Sequence, residues 1–543
     1  MRNRSCWNVL LTLLLGITIS GRRAMPLPIH TIGAPAGQSG AILIRAGTVI
    51  DGAGAPRKRE DVLVQAGRIA AVGAISPRQG ERVIDARGLF VCPGFIDAHS
   101  HADGGLMQDP DAETQIRQGI TTSVVGQDGS SHYPLASWFA QVEAKHTAIN
   151  IASFVGHGTI RNLVTGKDYK RHVTPAELSK MRALVAQEMK AGGLGLSTGL
   201  EYDPGFYSNT EELIACAKVA GQYGGIYISH VRDEGDKALD SFRELIRIAK
   251  EGRLPAQISH IKLDTTPVWG KASVALGLIK RANREGLNIT ADIYPYNFWE
   301  STIIVLIPTR DWSNRAAWKK GLAEVGGASH VLLAVYTPHP SWAGKNIAQI
   351  AAETGQDAIT TIQQIVAATH GPGASGRETV LVTAMTEPDV DKFIAYPRTM
   401  FCTDGGLHFS HPRGAGSYPR MLSRYVRQLH LLTFEQAVHK ATGLPAWRFG
   451  FADRGRIAAG YRADIVLFNP ATVQDTSTVL HPESPPIGLP YVLVNGRIVL
   501  DNGRITGERP GMVLRHRAST ASTVDSSRDS PRRCATIVPG KRA

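Results

Sequence analysis

Eight short apolar runs, each followed by a longer polar, helix-prone stretch, recur through the middle of this 543-residue chain: residues 94–99, 121–126, 151–156, 193–198, 226–230, 256–260, 288–293 and 399–403. Strands that alternate with helices build a parallel sheet covered on both faces. Eight such units close into a (β/α)8 barrel, whose chemistry collects at the C-terminal ends of the strands.

Both ends of the chain read differently. "AILIRAGTVIDGAG", "DVLVQAGRIAAVG" and "ERVIDARGLFVCPG" are β-branched runs broken by Gly and Asp turns, and similar runs return in "GRIAAGYRADIVLFNP" and "YVLVNGRIVLDNGR". The simplest arrangement is one small β-sandwich made from residues 40–93 and 447–510, with a barrel at 94–446 inserted between its halves. Between the seventh and eighth runs, residues 297–398 form a long insertion. It contains "NFWESTIIVLIPTRDW" and a helical stretch around 357–368. The insertion is read as a lid or pocket wall; Phe298, Trp299 and Trp312 serve it equally well as ordinary core.

The strand ends carry the chemistry. "GFIDAHSHAD" places His99 and His101 two residues apart at the end of a strand, where alternate side chains share a face and can close on one ion. The second run leads into "VVGQDG" with Asp128, the fifth ends in "YISHVRDEG" with His230, the sixth in "QISHIKL" with His260 and Lys262, and the eighth in "FCTDGG" with Asp404. Imidazole and carboxylate suit zinc or a similar divalent ion. Any one of these residues alone is an ordinary polar side chain. Five strand ends supplying them together point to a metal site.

The net charge of +13 belongs largely to the termini. Residues 1–24 carry four arginines and no acid, and residues 504–543 carry nine basic residues against Glu508, Asp525 and Asp529, so the body is left at +3. Residues 511–543 read as a disordered basic tail. No stripe of basic and aromatic residues argues for nucleic acid. The start, "MRNRSCWNVLLTLLLGITIS", is basic and then apolar, too short for a confident membrane span and shaped like a secretory signal. That implies a periplasmic or secreted protein; an uncleaved anchor, or a misassigned start before a cytoplasmic enzyme, are the other readings. The five cysteines form no CxxC pair and read as free thiols.

"GFIDAHSHAD", "GLSTGLEYDPG", "SHVRDEG", "SHIK", "DIYPY", "FCTDGG", "HPRGAGSYPRML" and "PAWRFGFADRGRIAAGYRADIVLF" together resemble the N-acyl-D-amino-acid deacylases, the D-aminoacylase branch of the amidohydrolase superfamily. The resemblance spans about residues 40–500. It implies a metal-dependent (β/α)8 barrel with a β-sandwich built from both chain ends, hydrolysing the amide of a small N-acylated D-amino acid. By motif, His230 and His260 would hold the tighter ion together with the ligand from the second strand, and His99, His101 and Asp404 the weaker one. Asp404 would also be the general base, moving a proton from the attacking water to the leaving amine. A plain turn aspartate before Gly405 and Gly406 is its other reading. Arg413, Lys262, Tyr294 and Tyr296 would bind the substrate carboxylate, although Arg413 and Lys262 also read as members of surface ion pairs. His157 either lines the pocket or is structural.

The chain departs from that family after the second strand. The resembling enzymes carry a ligating cysteine in an Asn-Cys-Gly triplet, where this sequence has Gln127, Asp128 and Gly129. A carboxylate can replace the thiolate and bridge two ions; as a harder donor it widens the choice from zinc to manganese, cobalt or iron. Glu201 is the alternative bridge, and a mere turn role for Asp128 is the third reading. Two further functions remain open on the residues: a cyclic amidase or isoaspartyl-type dipeptidase on the same scaffold, and a non-catalytic exported binding protein.

Overall fold

The computed structural model describes residues 40–307 and 311–516. The signal-like segment 1–24 and residues 517–543 of the basic tail lie outside them.

The first chain segment contributes β1 (Ile42–Val49), β2 (Lys58–Gln65), β3 (Arg68–Gly73), β4 (Arg82–Asp85) and β5 (Phe90–Pro93). All eight barrel runs are strands: β6 (Phe95–Asp97), β7 (Ile120–Val125), β8 (Asn150–Ser153) with its continuation β9 (Val155–Gly156), β10 (Gly195–Gly199), β11 (Ile226–His230), β12 (Ala256–Ile258) and β13 (Ile289–Ile293). Then come β14 (Phe298–Ser301), β15 (Val331–Tyr336), β16 (Lys345–Asn346) and β17 (Glu378–Thr383), followed by the last barrel strand, β18 (Thr399–Phe401). The chain closes with β19 (Ile465–Phe468), β20 (Tyr491–Val494), β21 (Arg497–Asp501) and β22 (Arg504–Ile505).

Every barrel pairing is parallel, and every residue of β7, β10, β11 and β13 is buried, as expected of strands covered on both faces. The third strand belongs to two ladders: β8 pairs with β7 through Ser153, and β9 pairs with β10 from Val155 onward. Among the described residues β18 and β6 share no ladder and are joined instead through the segment that follows β18. Asp97 accepts from the Thr403 amide at 2.8 Å and its hydroxyl at 2.6 Å, and the Asp404 amide donates to the His99 carbonyl at 2.9 Å. The outer helices are amphipathic in the usual way. In Ala238–Gly252 the buried residues are Ala238, Ser241, Phe242, Leu245, Ile248, Ala249 and Gly252, one stripe at helical spacing.

Strands from both chain ends join in one nine-stranded sheet, where β5 pairs antiparallel with β19, setting Cys92 opposite Val466. Alternation divides the burial. Ile465 and Leu467 enter the sheet's own core with Ile42, Ile44 and Val91, whereas Val466 and Phe468 join the barrel core. Asp464 ties the two together, bonding buried Arg454, the Asn495 amide and Asn150 at the start of β8.

Three boundaries differ from expectation. The insertion is a unit with its own sheet, β14-β17-β15-β16, and its own core from Ile303 to Val382. It stops short of residue 398, because helix Glu387–Ala395 sends Val390, Phe393 and Ile394 into the barrel core while Asp389 accepts from the amides of Gly270 and Ala272. Helix Gly443–Phe449 runs across the expected boundary between 446 and 447. Residues 511–516 are not free tail: the amides of Gly511, Leu514 and His516 donate to the carbonyls of Thr147, Ile151 and Gly192.

Candidate metal centre

The C-terminal end of β11 and the loops after β6, β7, β12 and β18 carry their polar side chains to one place. His99 is fully buried, and its Nε2 lies 3.4 Å from Asp128 Oδ2 and 3.5 Å from Asp404 Oδ1. His101 is more open, with Nε2 3.2 Å from the same Asp128 oxygen and 3.3 Å from Asp404 Oδ1. The other oxygen of Asp128 faces His260 Nε2 at 3.5 Å, and His260 Nε2 is 3.0 Å from His230 Nδ1. Asp128 thus stands among three of the four histidines. Glu201 meets only His230 at ion-pair distance, 3.2 Å, and its second oxygen accepts from the Glu234 amide.

The local backbone explains how Asp128 gets there. Asp128 has φ of 52° between Gly126 and Gly129, both also at positive φ. Gly199 at the end of β10 passes so close that a Cβ there would lie 2.1 Å from the Asp128 carbonyl oxygen, which only glycine permits. His260 and Asp404 also have positive φ, 29° and 48°. Left-handed non-glycine residues at three converging side chains are the kind of local strain that collects at functional sites.

The donors fit a divalent cation. Asp128 Oδ1 and both ring nitrogens of His99 are buried without a hydrogen-bond partner among the described residues. One donor atom from each of His99, Asp128, His260 and Asp404 lies within 4.8 Å of the others, and the same holds for His230, Glu234 and His260. Imidazole–carboxylate separations of 3.2–3.5 Å sit at or beyond the long end of ordinary hydrogen bonds, leaving room between donors. Burial alone would raise the carboxyls of Asp128 and Asp404. Instead, the imidazoles of His99, His101 and His260 hold Asp128 well below the usual carboxylate range, and Arg413 does the same for Asp404 with help from the histidines.

Glu234 was not singled out from the sequence, although it stands four residues after His230 in "SHVRDEG". Its carboxylate lies 3.1 Å from His260 Nδ1 and 2.7 Å from Lys262 Nζ. It therefore fixes His260 from behind and takes up the charge of Lys262. Asp292 was missed too. It accepts from the His260 amide at 2.7 Å and from Gln257 at 2.5 Å, and lies 3.7 Å from His99 Nδ1. Tyr202 packs its ring on His230 at 4.5 Å.

The expected carboxylate-binding residues divide. Arg413 is buried, 2.9 Å from Asp404 Oδ2 and stacked on the Tyr294 ring at 4.4 Å. The Tyr294 hydroxyl is buried beside it without a hydrogen-bond partner among the described residues. Tyr296 points elsewhere. A hydrogen bond from its amide to the Tyr294 carbonyl makes a tight turn about Pro295 that splays the rings, and its hydroxyl reaches the Pro412 carbonyl. His157 is structural, bound at 2.9 Å to buried Glu212. In the insertion, Phe298 stacks on His411 at 4.5 Å, Trp299 donates to Asp264, and Trp312 packs against the insertion's own core.

Comparison with known proteins places this geometry. The family described as "Amidohydrolase family" matches residues 82–375 and 404–500. The N-acyl-D-glutamate deacylase of Alcaligenes xylosoxydans xylosoxydans is 36% identical, covering 90% of this chain and 99% of that protein. The D-aminoacylase of the same organism is 35% identical over 88% and 98%. A crystal structure of N-acyl-D-glutamate deacylase from Bordetella bronchiseptica, complexed with zinc and a phosphonate inhibitor that mimics the reaction's tetrahedral intermediate, superposes with a TM-score of 0.77 at 34% identity. It covers 87% of this chain and 99% of that one.

Proposed function

Since the chain belongs to the amidohydrolase family, we propose that it is a metal-dependent hydrolase of N-acyl-D-amino acids, releasing a carboxylate and a free D-amino acid. The observation that carries this reading is Asp128 set between His99, His101 and His260, with Asp404 across the same gap. His230, His260 and Asp128 would hold one divalent ion, zinc first among the candidates. His99, His101 and Asp404 would hold a second, with Asp128 rather than Glu201 shared between them. A bound ion supplies a water of lowered pKa and polarises the acyl carbonyl.

The chain's own residues do the rest. Asp404 is kept ionised by Arg413, so its carboxylate can take the proton of the attacking water and return it to the amine as the C–N bond breaks. Arg413 and the unpartnered Tyr294 hydroxyl bind the substrate's α-carboxylate, the guanidinium fork suiting a planar anion. Lys262 borders the same wall, 5.9 Å from the Tyr294 ring, with its charge compensated by Glu234. The leader-like residues 1–24 support export to the periplasm or beyond.

The test is hydrolysis of paired N-acetyl-D- and N-acetyl-L-amino acids by zinc-loaded protein, scored as free amine. Cleavage of D-substrates only, abolished by chelation and restored by zinc, is the expected result. A protein that binds zinc but cleaves neither enantiomer contradicts the reading.

A further inference from the structure

Resting on the deacylase reading, we propose that Glu300 sets the side-chain preference of the enzyme: its carboxylate selects D-amino acids with cationic side chains and disfavours acidic ones. Glu300 lies on β14, two residues after Phe298, so both project from the same face of the insertion's sheet. Phe298 stacks on His411, which fixes that face toward the loop that ends in Arg413. The surroundings of Glu300 agree: Arg413, the Ser410 hydroxyl, Asp404 and the His411 backbone.

Two features set Glu300 apart from an ordinary counter-ion. Its Oε2 is buried without a hydrogen-bond partner among the described residues, and so are Arg413 Nε and the Tyr294 hydroxyl. The nearest cation is already taken, because Arg413 holds Asp404 at 2.9 Å. Two orphaned oxygens beside a guanidinium whose own Nε is unpartnered among the described residues describe a space shaped for a ligand with several polar ends.

The chemistry of the substrate supplies those ends. Once Arg413 and Tyr294 hold the α-carboxylate, the side chain leaves the adjacent carbon, within one side-chain length of the Arg413 neighbourhood. An ammonium or guanidinium there completes Glu300. A carboxylate meets a like charge in a partly desolvated wall. This separates the chain from its relative that is named for D-glutamate.

The experiment compares kcat/KM for N-acetyl-D-lysine, -D-arginine, -D-glutamine, -D-glutamate and -D-leucine in zinc-loaded full-length wild type and Glu300→Gln. The expected wild-type order places the two cationic substrates above glutamine, with glutamate last. In Glu300→Gln the lysine-to-glutamate ratio should fall by about tenfold or more, the scale of one lost charged contact. A purely structural Glu300 would lower all five rates alike and leave that ratio fixed, which overturns the proposal. So does a wild type that cleaves D-glutamate as well as D-lysine, a comparison that decides the matter even if the variant fails to fold. If no D-substrate is cleaved, leucine included, the deacylase reading falls and this inference with it; if leucine is cleaved and the charge order is absent, only this inference falls.

Discussion

The molecule builds two buried clusters from the same parts, histidine, carboxylate and arginine, and closes only one of them. In the first, Glu212 accepts from His157 at 2.9 Å and from Arg161 at 2.7 Å on both oxygens. Both of its oxygens accept, and the cluster pins helix His157–Thr165 to helix Thr210–Gln222. In the second, Asp128 and Asp404 stand 3.2–3.5 Å from their imidazoles, and Asp128 Oδ1 accepts no hydrogen bond from the described residues. The carboxylate contacts of the first cluster are about half an ångström shorter than those of the second, and the wider spacing suits a divalent ion between the donors. Burial cannot make the distinction, since both clusters are inside.

Breaking the open cluster at its proton carrier should have the largest effect. Asp404→Asn keeps the shape and removes the base, so kcat on an N-acetyl-D-amino acid should fall by about 10²–10⁴-fold, measured on protein loaded with the wild-type amount of zinc. Breaking the closed cluster should leave chemistry alone and cost stability. Glu212→Gln uncovers the buried Arg161 charge and should destabilise the fold by about 3–5 kcal/mol in urea titration, with zinc bound per folded molecule unchanged.

Glu234 sharpens the comparison, because it belongs to both kinds of arrangement: closed against Lys262 at 2.7 Å, and at 3.1 Å from His260. Glu234→Gln should weaken zinc binding by about 10–100-fold in competition with a chelator, as expected of a residue that orients a ligating imidazole. The smallest effect concerns a surface network. Arg171 and the Thr174 amide draw half-buried Glu177 from 4.5 down to about 2 in the folded protein. A carboxyl lowered on folding stabilises above its ordinary value and loses that contribution as pH falls. Amide protection in the first turn of helix Pro175–Lys190 should therefore decline between about pH 4.5 and 2, and scarcely change from pH 5 to 7.

Much of this was legible in the chain. Parallel strands covered on both faces are continuous apolar runs, so all eight barrel strands could be read; strand alternation does not account for His99 and His101, because β6 ends at Asp97 and both stand in the loop after it. What the sequence hides is pairing across space. Nothing local says that Glu234 turns back to His260, that a tight turn at Pro295 sends Tyr296 away from Tyr294, or that His157 ends on Glu212. Helix Glu387–Ala395 looked like part of the insertion because its apolar stripe suits either core; only its contacts assign it to the barrel. Residues 511–516 looked like tail because backbone hydrogen bonds to the barrel leave no mark on composition.

The central claim is that Asp128 does what a thiolate does in the resembling enzymes. The direct measurement is metal content by elemental analysis of wild type and Asp128→Ala, purified and zinc-loaded side by side. The account predicts that the wild type retains zinc, that the variant loses at least one ion per chain, and that D-substrate cleavage is lost with it. A folded Asp128→Ala protein with wild-type zinc content and wild-type turnover would contradict the account.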